Sequence, residues 1–298
     1  MTAAPGDEHA ERFTHLRPLL FTIAYEILGS ATESDDVLQE SYLRWAEVDL
    51  SGVTDTKAYL ARLVTRQALN ALRAQSRRRE EYVGPWLPEP LLTEADPSAD
   101  VVLAESVSMA MLVVLETLSP DERAVFVLRE VFGFGHDEIA AALGRSAAAV
   151  RQMAHRAREH VQSRRRRFEP VDPKLSTEIT ARFFAAAATG DLDGLMAMLA
   201  PDVVWTADSD GKVSAARRPV EGADRVARLI LGFVRLAGTA GRVEPAIYNS
   251  APALVLYLDD NLEGVVTFEV VDGRVTNFYA MRNPEKLAGV KVPRQISR

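Results

Sequence analysis

The chain has 298 residues, 47% of them hydrophobic and 26% charged, and a formal net charge of −7; at ~100–200 residues per domain this length suggests about two domains. It has no cysteine, which excludes disulfides, thiolate metal sites and cysteine nucleophiles and fits a reducing compartment. No apolar run approaches the ~18–20 residues of a membrane span, and the opening residues are polar and acidic (Asp7, Glu8, Glu11), unlike a signal peptide. A soluble, cytoplasmic protein is expected.

The first module, residues 10–83, is predicted to be all helical. Phe13, Leu16, Leu19, Leu20, Ile23, Ala24 and Ile27 recur at helical spacing until Gly29 ends the run. Ser34-Asp35-Asp36 is predicted to open a second helix carrying Val37, Leu38, Tyr42, Leu43 and Trp45. From Glu26 to Asp55 eight acids stand against the single Arg44, a distribution that suits a basic protein partner. Thr54 to Thr56 opens a third helix with Tyr59, Leu60, Leu63, Val64, Ala68, Leu69 and Leu72 on its apolar side. Between Lys57 and Arg79 there are seven basic residues and no acid. Arg62, Arg66, Asn70 and Arg73 are three or four residues apart and share one face. Local field, not net charge, governs phosphate binding, so this face suits a nucleic acid.

Residues 84–100 read as a linker, because Gly84-Pro85-Trp86-Leu87-Pro88-Glu89-Pro90 is too rich in proline for a helix or a central strand. Trp86 and Leu87 give this stiff segment an apolar surface ready for docking. They are predicted to pack on the last domain, near Asp208 to Lys212 or Asn283 to Lys286. Residues 101–168 contain a helix-turn-helix. Ser119-Pro120 is a helix start with acids behind it, Asp137 to Leu143 is a short helix, Gly144 breaks it, and Ser146 caps the next. That last helix has an apolar seam of Val150, Ala154 and Ala157, and an opposite face of Arg151, Gln152, His155, Arg156 and Arg158. From Leu143 to Phe168 eight arginines face one acid, Glu159. Such a helix can lie in a major groove, with side chains on base edges and arginines on phosphates; the Arg164 to Arg167 run suits phosphates alone.

Residues 172–293 change character. A helix from Lys174 to Thr189 and a short helix to Ala200 precede strand candidates at Val203–Ala207, Val243–Tyr248, Ala253–Leu258, Val265–Val271 and Arg274–Met281. A helix at Ala223–Leu236 lies among them, and Asp272-Gly273 is a hairpin signal. Helices followed by a mostly antiparallel sheet make an α+β domain. Asp208 or Asp210 could serve there as a general base, with Tyr248, Tyr257 or Tyr279 polarising a carbonyl. All five histidines lie at or before His160, so histidine chemistry is absent from this domain. The aspartates stand in a polar loop where they would be solvated, which favours a regulator over an enzyme. The stretch from Asn283 to Arg298, with Lys286, Lys291, Arg294 and Arg298 beside Leu287, Val290 and Ile296, suits a surface contact more than a core.

The run Asp35-Asp36-Val37-Leu38-Gln39-Glu40-Ser41-Tyr42-Leu43-Arg44-Trp45 resembles the polymerase-binding segment of bacterial σ factors of the extracytoplasmic-function type. Ala58 to Asn70 resembles the helix with which they melt and read the −10 promoter element, and the helix-turn-helix resembles their −35 reader. The resemblance spans roughly residues 10–168 and implies core RNA polymerase (its β′ clamp helices and β flap) and promoter DNA as partners. It assigns the polymerase contact to Asp35, Asp36, Gln39, Glu40, Tyr42, Leu43 and Trp45. The −10 contacts fall to Lys57, Arg62, Arg66, Asn70 and Arg73, with a flipped-base pocket near Ser51 to Asp55. The −35 contacts fall to Arg145, Ala148, Arg151, Gln152, His155, Arg156 and Arg158. The remainder resembles a SnoaL-like domain of the cone-shaped α+β type shared with NTF2-like proteins and ketosteroid isomerases, whose opening helix Arg182 to Leu192 matches. One subgroup of these σ factors carries such an extension with three motifs. Here they read Trp86-Leu87-Pro88-Glu89-Pro90, Asp208-Ser209-Asp210-Gly211-Lys212 and Asn283-Pro284-Glu285-Lys286-Leu287, the second keeping one glycine of three and the third having Glu for Asp. The resemblance implies that Trp86 to Pro90, Asp208, Asp210, Gly211, Lys212, Asn283, Pro284 and Lys286 form an interdomain contact. It also implies a fused regulator in place of a separate anti-σ protein. The expectation is two all-α σ domains followed by an α+β domain, with no catalytic residues, metal or cofactor. The competing reading is a SnoaL-like isomerase or hydrolase fused to a DNA-binding module.

Overall fold

The computed structural model describes residues 5–79, 81–93, 100–164 and 173–298. The chain forms two compact units: residues 1–80, 111–168 and 294–298 in one, 81–110 and 169–293 in the other. Residues 101–110, expected with the helix-turn-helix, thus belong to the second unit.

The first unit is helical. α1 (Pro5–Leu28) buries Phe13, Leu19, Leu20, Ile23, Ala24 and Ile27, and Gly29 ends it at φ 68°. α2 (Ala31–Trp45) starts earlier than predicted, because the cap is Ser30, whose side chain accepts from the Glu33 N–H. Ser34 is buried inside the helix and donates its hydroxyl to the Ser30 carbonyl at 2.6 Å. α3 (Thr56–Arg79) is capped by the Asp55 carboxylate, 2.9 Å from the Ala58 N–H. α4 (Val101–Ser106) and the start of α5 (Met109–Leu115) fall before the return to this unit at residue 111. α6 (Pro120–Phe126) begins behind the Ser119 cap and runs into a π-helical turn over Val127–Val131. α7 (His136–Leu143) ends at Gly144, which is left-handed at φ 65°, and α8 (Ala147–Arg164) follows with Val150, Ala154, Ala157 and Val161 buried. The buried Arg123 guanidinium ties α6 to α1 by donating to the Glu26 carbonyl at 2.8 Å, and it also pairs with Glu116.

The second unit is α+β. α9 (Pro173–Thr189) and α10 (Leu192–Met198) precede a six-stranded sheet of order β2-β1-β6-β5-β4-β3. Its strands are β1 (Leu199–Asp208), β2 (Val220–Glu221), β3 (Gly241–Tyr248), β4 (Ala251–Leu258), β5 (Asn261–Val271) and β6 (Arg274–Met281). α11 (Ala223–Ala237) follows β2, and α12 (Pro284–Leu287) follows β6. Only β1 and β6 run parallel. Register places Trp205 opposite Phe278 and Phe278 opposite Phe268, so all three share one face. That face packs with Phe183 of α9, Leu195 of α10, and Val226 and Ile230 of α11 into one core. The two-residue β2 carries too little pattern to be foreseen. Leu287 and Val290 are buried, so the stretch after Met281, expected to be a surface contact, is in part core.

Candidate polymerase and promoter interfaces

On α2, Asp36, Gln39, Glu40 and Leu43 are exposed and fall at helical spacing, which places them in one stripe. Leu43 is 60% exposed, a large apolar side chain rimmed by acids. Asp35 is half-buried and pairs with Arg17 at 3.1 Å and Arg294 at 2.9 Å. Tyr42 packs edge-on against Phe13, 5.2 Å between centroids. Trp45 corrects the sequence reading: it is fully buried and donates its indole N–H to the His9 carbonyl at 2.9 Å, so it holds α2 in place and offers a partner nothing.

On α3, Lys57, Arg66, Asn70 and Arg73 are exposed, while Arg62 is half-buried with its guanidinium 5.2 Å from the Tyr59 ring centroid. Ahead of α3, Asp49 accepts from the backbone N–H and hydroxyl of Ser51 at 3.0 and 2.8 Å, which shapes the loop and holds its carboxyl below the usual range. Two of the basic residues already have partners. Arg66 donates to the carbonyls of Ala141 and Ala142 at 2.7 and 2.8 Å, and Arg73 pairs with Asp121 at 2.8 Å.

On α8, Ala148, Arg151, Gln152, His155, Arg156 and Arg158 are exposed, opposite the buried seam. Three arginines of this module are held by acids of α6 and the π-helical turn: Arg145 by Asp121 at 2.7 Å, Arg156 by Glu122 at 3.1 Å and Arg158 by Glu130 at 2.6 Å. Burial alone would raise the Asp121 carboxyl, but hydrogen bonds from Arg145 and Arg73 outweigh it and hold the group below the usual range. Sequence reasoning saw Asp121 and Glu122 only as first-turn acids. Of the Arg164 to Arg167 run, residues 165–167 lie outside the described residues.

In the second unit the three motifs meet. Asp208 is not solvated in a loop as the sequence suggests: it ends β1, is fully buried, and accepts from the Tyr82 hydroxyl at 2.5 Å, the Leu87 N–H at 2.7 Å and the Lys286 ammonium at 2.7 Å. Lys286 also donates to the Leu87 carbonyl at 2.6 Å and lies 3.9 Å from the Trp86 ring centroid. A buried charge is tolerated only when paired and hydrogen-bonded, and both charges here are. Asn283 caps α12 and donates to the Tyr82 oxygen at 2.7 Å. Desolvation, and then Asp208, push the Tyr82 phenol far above its ordinary value. Asp210 accepts from the Val83 N–H at 3.1 Å and pairs with Lys212, which reaches Glu285 at 2.7 Å. Gly211 is left-handed at φ 66°, and a Cβ there would stand 3.2 Å from Val83, so the retained glycine is the one this close approach needs. Leu87, Pro88, Glu89 and Pro90 are buried, Trp86 is half-buried, and Pro284 is exposed at the start of α12. Sequence reasoning missed Tyr82 and Asn249; the latter accepts from the Leu91 N–H at 3.1 Å and donates to the Val107 carbonyl at 2.8 Å. Among the described residues no cluster of His, Asp or Glu could hold a metal ion, and no helix is long and apolar enough to cross a membrane.

Residues 12–78 match the family model for σ70 region 2, and residues 108–161 match that for σ70 region 4. A region 2 followed by a region 4 is the make-up of a transcription-initiation factor. The ECF RNA polymerase sigma factor SigJ of Mycobacterium tuberculosis (strain ATCC 25618 / H37Rv) is 38% identical over 93% of this chain and 92% of its own. A probable ECF sigma factor, SigI, of M. tuberculosis (strain CDC 1551 / Oshkosh) is 30% identical over 91% of this chain and 92% of its own. The crystal structure of M. tuberculosis SigJ superimposes with a TM-score of 0.76 at 35% identity, covering 95% of this chain and 99% of that one. The chain belongs to the extracytoplasmic-function RNA polymerase σ factors, which direct transcription initiation at promoters.

Proposed function

We propose that α2 docks on the β′ clamp helices of core RNA polymerase, that α3 holds the opened −10 strand, and that α8, braced by the β flap, reads the −35 element in the major groove. Opening DNA costs on the order of 1–2 kcal/mol per stacked step, so a factor that opens a promoter must capture the freed strand. The observation that carries this reading is the two-faced build of α2 and α8, each apolar where it packs and charged where it is exposed. Run-off transcription from a −35/−10 promoter with purified core polymerase tests it, and no promoter-specific transcript would sink it. The compartment is then the cytoplasm, where the polymerase works.

The second unit acts in cis as a regulator, without cofactor and in place of a separate anti-σ protein. Against the isomerase or hydrolase reading, Asp208 already accepts from three donors and Asp210 from two, so neither is a carboxylate waiting for a substrate proton. Tyr248 donates to the Val290 carbonyl at 3.1 Å, and Tyr257 lies between the Arg242 and Lys291 cations. The fold class by itself does not decide chemistry.

A further inference from the structure

We infer that Asp121 is a latch, a carboxylate that takes the place of a DNA phosphate and holds the −10 helix and the helix-turn-helix together while the chain is free of DNA. One oxygen of Asp121 accepts from Arg73 of α3 at 2.8 Å, and the other accepts from Arg145, in the turn after α7, at 2.7 Å. A carboxylate between two guanidiniums offers them the same short, charge-assisted bonds as the oxygens of a phosphate. Arg66, one helical step along α3 from Arg62 and facing the same seam, donates to two carbonyls in the last turn of α7, the negative end of that helix. Three guanidiniums assigned to the −10 and −35 elements are therefore engaged inside the protein, within one seam.

Two consequences follow. The backbone-binding side of α3 and the helix-turn-helix cannot both take DNA until the seam opens. The free chain also has fewer cations with which to displace counterions, so its affinity for unrelated DNA is low. The seam is built to part. In the N-terminal half of α3, along the same seam, Ala58, Ala61 and Thr65 face Ile139 and Ala142 of α7 across a small cleft. A permanent interface would be densely packed. Exposed ion pairs are individually weak, so the latch yields once polymerase and promoter offer alternatives.

This inference rests on the DNA roles proposed for Arg66, Arg73 and Arg145, but the latch can be tested without DNA. The chain has no cysteine, so Glu47→Cys and Gln162→Cys, both at exposed positions, can carry a dye pair across the seam. Single-molecule energy transfer in the full chain, without DNA or polymerase, should show the open-to-closed ratio rising about tenfold in Asp121→Asn. Arg73→Gln should open the seam in the same way, and serves if Asp121→Asn fails to fold. Glu130→Gln, which breaks an ion pair inside the helix-turn-helix module, should leave the distance unchanged. Affinity of Asp121→Asn for a duplex of unrelated sequence should rise several-fold. An unchanged distance in Asp121→Asn and Arg73→Gln, or an equal lengthening in Glu130→Gln, overturns the latch. A lengthened distance with no gain in duplex affinity upholds the latch and overturns instead the assignment of Arg73 and Arg145 to DNA.

Discussion

Arg151 and Gln152 stand on the exposed face of α8, without the neighbouring acids that hold Arg156 and Arg158, and promoter choice is expected to turn on them. Arg151→Ala and Gln152→Ala should each alter preference among −35 sequences by ~1–3 kcal/mol, the size of a base-edge contact. Competition binding against a set of base-substituted −35 duplexes measures this; uniform weakening on every duplex would make these two residues phosphate contacts. Lys286 has a different role. Replacing it with Met leaves Asp208 buried without its cation, a change that typically costs ~3–5 kcal/mol, here toward the lower end because Tyr82 and the Leu87 N–H still donate. Chemical denaturation of the full chain should show the loss, together with a change in Trp86 fluorescence as its cation leaves. Tyr248 ties stability to alkaline pH. Burial pushes its phenol up from 10.0 to about 12, so the folded state keeps a proton that the unfolded chain gives up. The contribution of this group is therefore constant below the unfolded value of 10.0 and falls as pH rises from there toward 12. Denaturation midpoints on either side of pH 10 should show the fall, and Tyr248→Phe should make it shallower.

At the scale of elements, legibility followed locality. The helix-turn-helix was readable because its signals are adjacent in sequence: Ser119 accepts from the Glu122 N–H, Ser146 from the Ala149 N–H, and Gly144 is left-handed. Gly144→Ala should accordingly cost ~1–2 kcal/mol, the strain of a left-handed alanine, seen as a lowered denaturation midpoint. The start of α2 was misread because Ser30 and Ser34 are equally good caps by type, and only burial separates them. Trp45 was misplaced for a related reason: nothing in a helical repeat distinguishes a tryptophan on a rim from one that closes a core. In the linker, surplus apolar surface among prolines showed that Trp86 and Leu87 needed a partner. The partners themselves form through pairings such as Tyr82 with Asp208, 126 residues apart, which leave no local pattern. Asp121 was invisible as a counter-ion on the same ground, 48 residues from Arg73.

At the scale of the whole molecule, the chain leaves the second unit for the last time at residue 293, and Arg294 to Arg298 belong to the helical one. There Arg294 pairs with Asp35 at 2.9 Å and lies 5.9 Å from the Phe21 ring centroid, and the Ser297 N–H donates to Thr22 at 3.1 Å. Asp35 is on the helix proposed to dock on polymerase, so this segment and the polymerase compete for it. The residues just before have the opposite role. Asn283 and Lys286 hold the Trp86 segment, and Val290 accepts from Tyr248. The sequence reading takes Asn283 to Arg298 as one surface contact, whereas these bonds divide it into a brace up to Pro293 and a lock beyond it. Ending the chain at Pro293 should therefore raise promoter activity several-fold, because an ion pair on Asp35 of α2, backed by a cation–π contact on Phe21 of α1, no longer opposes docking. Ending it at Met281 should give a less stable protein, with Asp208 stripped of Lys286. Deleting from Pro170 onward should lower activity below that of the full chain, because the buried linker residues lose the surface they pack on. Transcription from one promoter with purified core polymerase, at matched amounts of folded protein, ranks the variants. Equal activity for the full chain, the Pro293 truncation and the Pro170 deletion would mean that the second unit does not regulate initiation, and the case for an enzyme in that unit would strengthen accordingly.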